Sequence, residues 1–168
     1  LQAAKMMMQS SWHLAAFKGE VGKLQSLLQL NPAVMNSLDG YKSSALMIAA
    51  RRGHIACVKM LIEAKAAVDM RVGIGRTALS EAAKAGKTKC CEILIEMKAN
   101  VDQHTNMGTS CMMLAAKEGH ASVVKLLLAR KASAWATNYN TGLTALDLAQ
   151  QAGHRAVVEL LQFATAAP

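Results

Sequence analysis

Aromatic residues make up only 4% of this 168-residue chain, charged residues 18%, and proline occurs twice. So few aromatics argue against a β-sandwich or barrel, whose half-buried strands draw on aromatic and β-branched side chains. A hydrophobic fraction of 52% excludes disorder from want of apolar surface. Cysteine stands only at 57, 90, 91 and 111, with no C-x-x-C pair. That is too few for a disulfide framework and the wrong spacing for a zinc site. Reduced thiols in an intracellular compartment are the expectation, with cytoplasm, nucleus and organelle interior left undistinguished. The longest uncharged runs, near residues 24–38 and 132–146, both contain Asn, and the first contains Pro32. Neither suits a bilayer span. The chain begins at Leu1 rather than Met, as expected of an excerpt or a processed product, so any targeting segment is out of view.

Catalytic sets are missing too. The "GIG" of residues 73–75 has no strand before it and completes no phosphate loop. Asp39, Glu81, Glu118 and Asp147 are scattered rather than paired, and no nucleophile, base and orienting group converge in the pattern. No enzyme activity, cofactor or metal is expected.

What the chain does have is a repeated shape. "AARRGH" at 49–54 returns as "AAKAGK" at 82–87, "AAKEGH" at 115–120 and "AQQAGH" at 149–154, with a diverged "AAFKGE" at 15–20. The glycines at 19, 53, 86, 119 and 153 are spaced by 34, 33, 33 and 34 residues. A fixed period of this length marks a repeat architecture. A hydroxyl residue stands five before each Ala pair or its equivalent (Ser10, Ser44, Thr77, Ser110, Thr144), where it is expected to cap a helix. Asp147, three after Thr144, is placed to complete a capping box. After each glycine an i, i+3, i+4 apolar stripe returns: Leu24, Leu27 and Leu28, then Val58, Leu61 and Ile62, then Cys91, Leu94 and Ile95, then Val124, Leu127 and Leu128, then Val158 and Leu161. Such a stripe belongs to an amphipathic helix. Helix, tight turn, helix, long turn, five times over, predicts a solenoid.

The chain resembles an ankyrin-repeat domain over roughly residues 5–164, most closely in "GRTALSEAAKAGKTKCCEILIEMKANVD" (75–102) and "TALDLAQQAGHRAVVELL" (144–161). The resemblance implies an all-α ankyrin-repeat solenoid of five stacked helix-turn-helix units with long inter-repeat turns. One domain over 1–168 is expected, with repeats near 5–36, 37–70, 71–103, 104–136 and 137–164. Departures from the family pattern are visible. Its proline after the hydroxyl is Ser11, Ala45, Ala78, Cys111 or Ala145, and its histidine in the first helix survives only as His13. Lys65, Lys98 and Lys131 replace its glycine after the second helix, while Asn31 keeps a residue tolerant of left-handed backbone. Each such lysine is expected to cost about 1 kcal/mol.

Several residues invite a bland assignment. His54, His120 and His154 share a position that tolerates Lys87 and Glu20, so they are assigned to the start of the second helix rather than to chemistry. The cysteines replace aliphatic residues of neighbouring units and are expected to serve as small hydrophobes. Met6 to Met8, Met47, Met112 and Met113 are expected to fill gaps in the core. Lys23 and Gln162 stand where the other units are apolar, which predicts exposed outer units.

A net charge of +8 favours an acidic partner. Arg51, Lys84 and Lys117 occupy equivalent positions and should stack as a basic ladder, opposed locally by Glu118 alone; neither Arg51 nor Lys84 is expected to be needed for packing. The resemblance implies that this edge and the turn tips face the concave groove where such repeats hold partners. The candidate partner-binding residues are Phe17, Lys18, Tyr41, Arg51, Arg52, Arg76, Lys84, Met107 and Lys117. An ordinary solvated face is the competing reading. The expected function is a non-catalytic protein–protein interaction module or scaffold for an acidic partner, such as an accessory subunit of a larger assembly. Electrostatic binding to nucleic acid or an anionic membrane is the alternative. Few aromatics stand in the turns (Tyr41, Tyr139 and nearby Trp135), and no basic run exceeds two residues, which weighs against it.

Overall fold

In four of the five repeats the first helix starts at the hydroxyl residue. The computed structural model describes residues 2–166, with side chains from residue 10 onward. The side-chain oxygens of Ser44, Thr77, Ser110 and Thr144 accept the backbone N–H groups of Met47, Ser80, Met113 and Asp147 at 3.2–3.3 Å. Each cap satisfies a donor that the helix itself leaves unpaired, worth about 1 kcal/mol. Asp147 completes the expected capping box, its carboxylate accepting from Thr144 N at 2.8 Å. The hydroxyl and amide of Thr144 hold that carboxyl below the usual Asp range. Ser80 closes a second box on Thr77 at 2.9 Å. Ser10 departs from expectation. The first helix, α1, runs Gln2–Lys18, so Ser10 lies inside it and starts nothing. A helix already propagating needs no new nucleus there.

The remaining helices are α2 (Val21–Leu30), α3 (Ala45–Arg52), α4 (Ile55–Glu63), α5 (Ala78–Lys84), α6 (Thr88–Glu96), α7 (Cys111–Lys117), α8 (Ala121–Ala129), α9 (Ala145–Gln151) and α10 (Arg155–Ala166). A 3-10 turn, Pro32–Val34, follows α2. No strand forms among the described residues; the long turns hold only isolated bridges, Leu38 to Ser44, Val72 to Arg76 and His104 to Ser110. The odd-numbered helices stack in chain order as one row, and the even-numbered helices as a second row behind it. This is the all-α solenoid that the period predicts.

Small side chains let the first row close up. Ala15, Ala16, Ala49, Ala50, Ala82, Ala83, Ala115 and Ala116 are all fully buried between successive helices. The second row contributes the larger groups: Leu24, Leu61, Leu94, Leu127 and Leu161 are fully buried. Each such leucine stabilises the fold by about 1.5–3 kcal/mol. Met47, Met112 and Met113 are core residues as expected, while the side chains of Met6 to Met8 lie outside the described residues. All four cysteines are buried free thiols. Burial pushes Cys91 and Cys111 up to about 12. Lys23 and Gln162 are exposed, as expected of outer units.

The helix ends explain the lysines. Lys65, Lys98 and Lys131 adopt φ of 70°, 67° and 60°, in the left-handed region. The next amide in each case bonds back to the helix: Ala66 N to Leu61 O, Ala99 N to Leu94 O and Ala132 N to Leu127 O, at 2.9–3.0 Å. With the adjoining bonds from Lys65 N to Ile62 O, Lys98 N to Ile95 O and Lys131 N to Leu128 O, each forms a Schellman motif. Asn31 was expected in the same conformation and is extended instead, with φ −151°. There its side chain accepts from Ala33 N at 3.2 Å and opens the Pro32–Val34 turn. A proline immediately after Asn31 disfavours helical backbone at that residue.

A further ladder ties the repeats together. Asn36, Asp69 and Asp102, spaced by 33 residues, accept from Ala67 N, Asn100 N and Ser133 N of the following unit at 3.0, 3.1 and 2.8 Å.

Candidate binding groove

The histidines do more than precede a helix. His54 Nε2–H donates to Phe17 O at 2.8 Å, His120 to Lys84 O at 3.0 Å and His154 to Lys117 O at 3.0 Å. Each imidazole therefore reaches back one repeat and pins the carbonyl at the end of an inner helix. A carbonyl only accepts, so Nε2 carries the proton. The ring lies over the glycine of that preceding repeat: a Cβ on Gly119 would stand 2.6 Å from His154 Nδ1, and φ there is +78°. Glycine is required twice over, for its backbone and for the imidazole above it. Lys87 replaces the histidine in the third unit, and its stem covers Gly53.

Those pinned ends carry the basic residues. Arg51, Lys84 and Lys117 stand in the last turns of α3, α5 and α7. Neighbouring rungs are separated by the stacking distance of the helices, about 8–10 Å. Lys84 and Lys117 are exposed and make no ion pair among the described residues. Arg51 differs. Its Nη1 lies 3.5 Å from Glu81 Oε2, and Arg76 Nη1 lies 3.0 Å from Glu81 Oε1. Glu81 is only 7% exposed. An unpaired carboxylate at that depth would cost several kcal/mol, so these arginines compensate a buried charge. Glu118 is thus not the sole local opponent of the basic residues, and Arg51 takes part in packing, contrary to expectation.

The other candidates fall into separate groups. Arg76 Nη2 donates to the carbonyls of Tyr41 at 3.1 Å and Lys42 at 3.4 Å, clamping one turn tip to the next. The Tyr41 side chain itself is 85% exposed. Arg52 stacks on Phe17, its guanidinium carbon 4.2 Å from the ring centroid. A hollow of about 380 Å³ brings together Arg51, Arg76, Lys84 and Met107. A smaller one, about 250 Å³, joins Phe17, Tyr41 and Arg51. Lys18, Arg52 and Lys117 line neither.

Among the lining residues of the larger hollow, sequence reasoning missed Glu81 as a paired group, and Ile74 and Leu114 as apolar wall. A signal for each was present. Tyr41, Ile74 and Met107 recur every 33 residues at the turn tips. Leu14, Ile48, Glu81, Leu114 and Leu148 share one repeat position, in which Glu81 is the single charge.

A family model described as ankyrin repeats (3 copies) matches residues 12–105 and 97–167. The chain belongs to the ankyrin-repeat family. Comparison with curated proteins finds no match. Members of this family generally mediate protein–protein interaction and are typically non-enzymatic. No helix among the described residues is long and apolar enough to cross a membrane.

Proposed function

We propose that this chain is a non-catalytic scaffold that holds an acidic protein segment across the face formed by the ends of its inner helices and the turn tips, as an accessory part of a larger assembly. The observation that carries this reading is the presence of two unpaired lysines, Lys84 and Lys117, at equivalent positions, the first of them bordering a hollow with apolar walls. Unpaired cations at repeat spacing add their fields and speed the encounter with an acidic chain, while apolar contacts hold it. Imidazoles fix the backbone that carries both lysines, so the charges are presented on a rigid frame.

Selection from a displayed library of random dodecapeptides tests the reading. The wild-type chain should enrich peptides rich in Asp and Glu, and the Lys84→Glu, Lys117→Glu double variant should lose them while melting normally. Enrichment without acidic bias would sink the proposal. Tight binding of a single-stranded oligonucleotide that collapses steeply with salt would favour the nucleic-acid alternative instead.

A further inference from the structure

The centre of the groove has a feature that a uniform basic face would lack. At one repeat position four units carry Leu14, Ile48, Leu114 and Leu148, while the third carries Glu81, which is buried. Its two arginine partners are not equivalent. Arg76 is consumed: besides Glu81 it donates to the Tyr41 and Lys42 carbonyls. Arg51 has Glu81 as its one ion-pair partner among the described residues, keeps 41% of its side chain exposed, and borders both hollows. A guanidinium has five N–H donors, so most of those on Arg51 remain for a ligand. Beside it the larger hollow is walled by Ile74 and Met107, which are 52% and 48% exposed, and by half-buried Leu114.

We infer that Arg51, held in position by Glu81, is the carboxylate-receiving point of the groove, and that the adjoining hollow takes a large apolar side chain from the same segment. The inference rests on the acidic-partner reading above and narrows it. The occupant is an extended peptide. In polyproline II conformation, with three residues per turn and about 3.1 Å per residue, residues i and i+3 share one face and lie about 9 Å apart. That matches the step of about 8–10 Å between the Arg51 and Lys84 rungs. Carboxylates three residues apart therefore meet Arg51 and Lys84, and an apolar residue between them enters the hollow. Glu118 on the same rim repels a further carboxylate there. Glu81 acts as a positioning residue: it borders the hollow, but its carboxylate is engaged by Arg51 and Arg76 and so acts on the ligand through Arg51.

The same peptide selection, followed by titration of one synthetic winner, tests this. Winning sequences should place a Leu, Met or aromatic residue between two acidic residues three apart. Met107→Asp should weaken the winner at least tenfold without changing the melting temperature, because that side chain is half exposed. Glu81→Gln should also weaken it about tenfold in wild type, but have no further effect once Arg51 is replaced by Ala. Additive losses from Glu81→Gln and Arg51→Ala would overturn the positioning role. Acidic winners without an apolar residue, or insensitive to Met107→Asp, would overturn the hollow while leaving the acidic-partner reading standing. No acidic winners at all would overturn both.

Discussion

Replacing Lys65, Lys98 and Lys131 by glycine should stabilise this protein. All three lysines hold left-handed backbone, with φ between 60° and 70°. That conformation brings Cβ against the following carbonyl and costs about 1–2 kcal/mol per residue. Glycine removes the clash. It gives back about 0.5–1 kcal/mol through the greater freedom of the unfolded chain, and the lost cation forfeits about 0.3 kcal/mol of interaction with the helix dipole. The net gain is about 0.5 kcal/mol per site. The lysines are exposed and make no ion pair among the described residues, so no packing is lost. They belong to three different Schellman motifs without shared partners, so their effects should add to about 1.5 kcal/mol. For a chain of this size that raises the melting temperature by roughly 3–6 °C. Urea titration monitored by helical circular dichroism reads it as a higher midpoint at unchanged slope. The alanine series is the control. Alanine keeps the clash and loses the charge, so Lys98→Ala should be neutral or slightly destabilising. Equal gains from alanine and glycine would show that the backbone conformation is not the cause.

Further outcomes follow from the groove and the stack. Arg51→Glu places a second carboxylate against buried Glu81 and should lower stability by about 1–3 kcal/mol, whereas Lys84→Glu should leave the melt unchanged; calorimetry distinguishes them. Gly119→Ala should cost about 2 kcal/mol or more, from left-handed backbone and from a Cβ 2.6 Å from the His154 ring. His154→Ala in that background should recover the steric share, as a double-mutant cycle measures. Asp102→Ala should cost about 0.5–1.5 kcal/mol and speed exchange of the Ser133 amide, whose acceptor it removes. At pH 8 the native thiols of Cys91 and Cys111, pushed up to about 12 by burial, should resist alkylation that the unfolded chain undergoes readily.

The repeat itself was legible because it rests on local rules. A hydroxyl before an apolar run starts a helix, a glycine ends it, and a 33-residue return forces identical units to stack. Even the unusual lysines could be placed in left-handed backbone, because they stand where the family pattern has a glycine. Local rules also failed in identifiable places. Ser10 has the right spacing for a cap, yet the preceding residues are already helical. Asn31 has the right chemistry for left-handed backbone, but Pro32 after it favours an extended conformation.

What only the tertiary structure decided is which charges are free. By position in the repeat, Arg51, Lys84 and Lys117 are the same residue three times over. Stacking brings Arg51 of α3 onto Glu81 of α5, 30 positions further along the chain, where Arg76 from five positions earlier in the same repeat already pairs with that carboxylate. The same stacking sets each histidine on the carbonyl and glycine of the repeat before it. Sequence periodicity specifies each unit and the order of units, because those depend on backbone propensity and an apolar stripe. Pairing across units depends on side-chain reach over a distance of one helix diameter, and that distance exists only once the helices have packed.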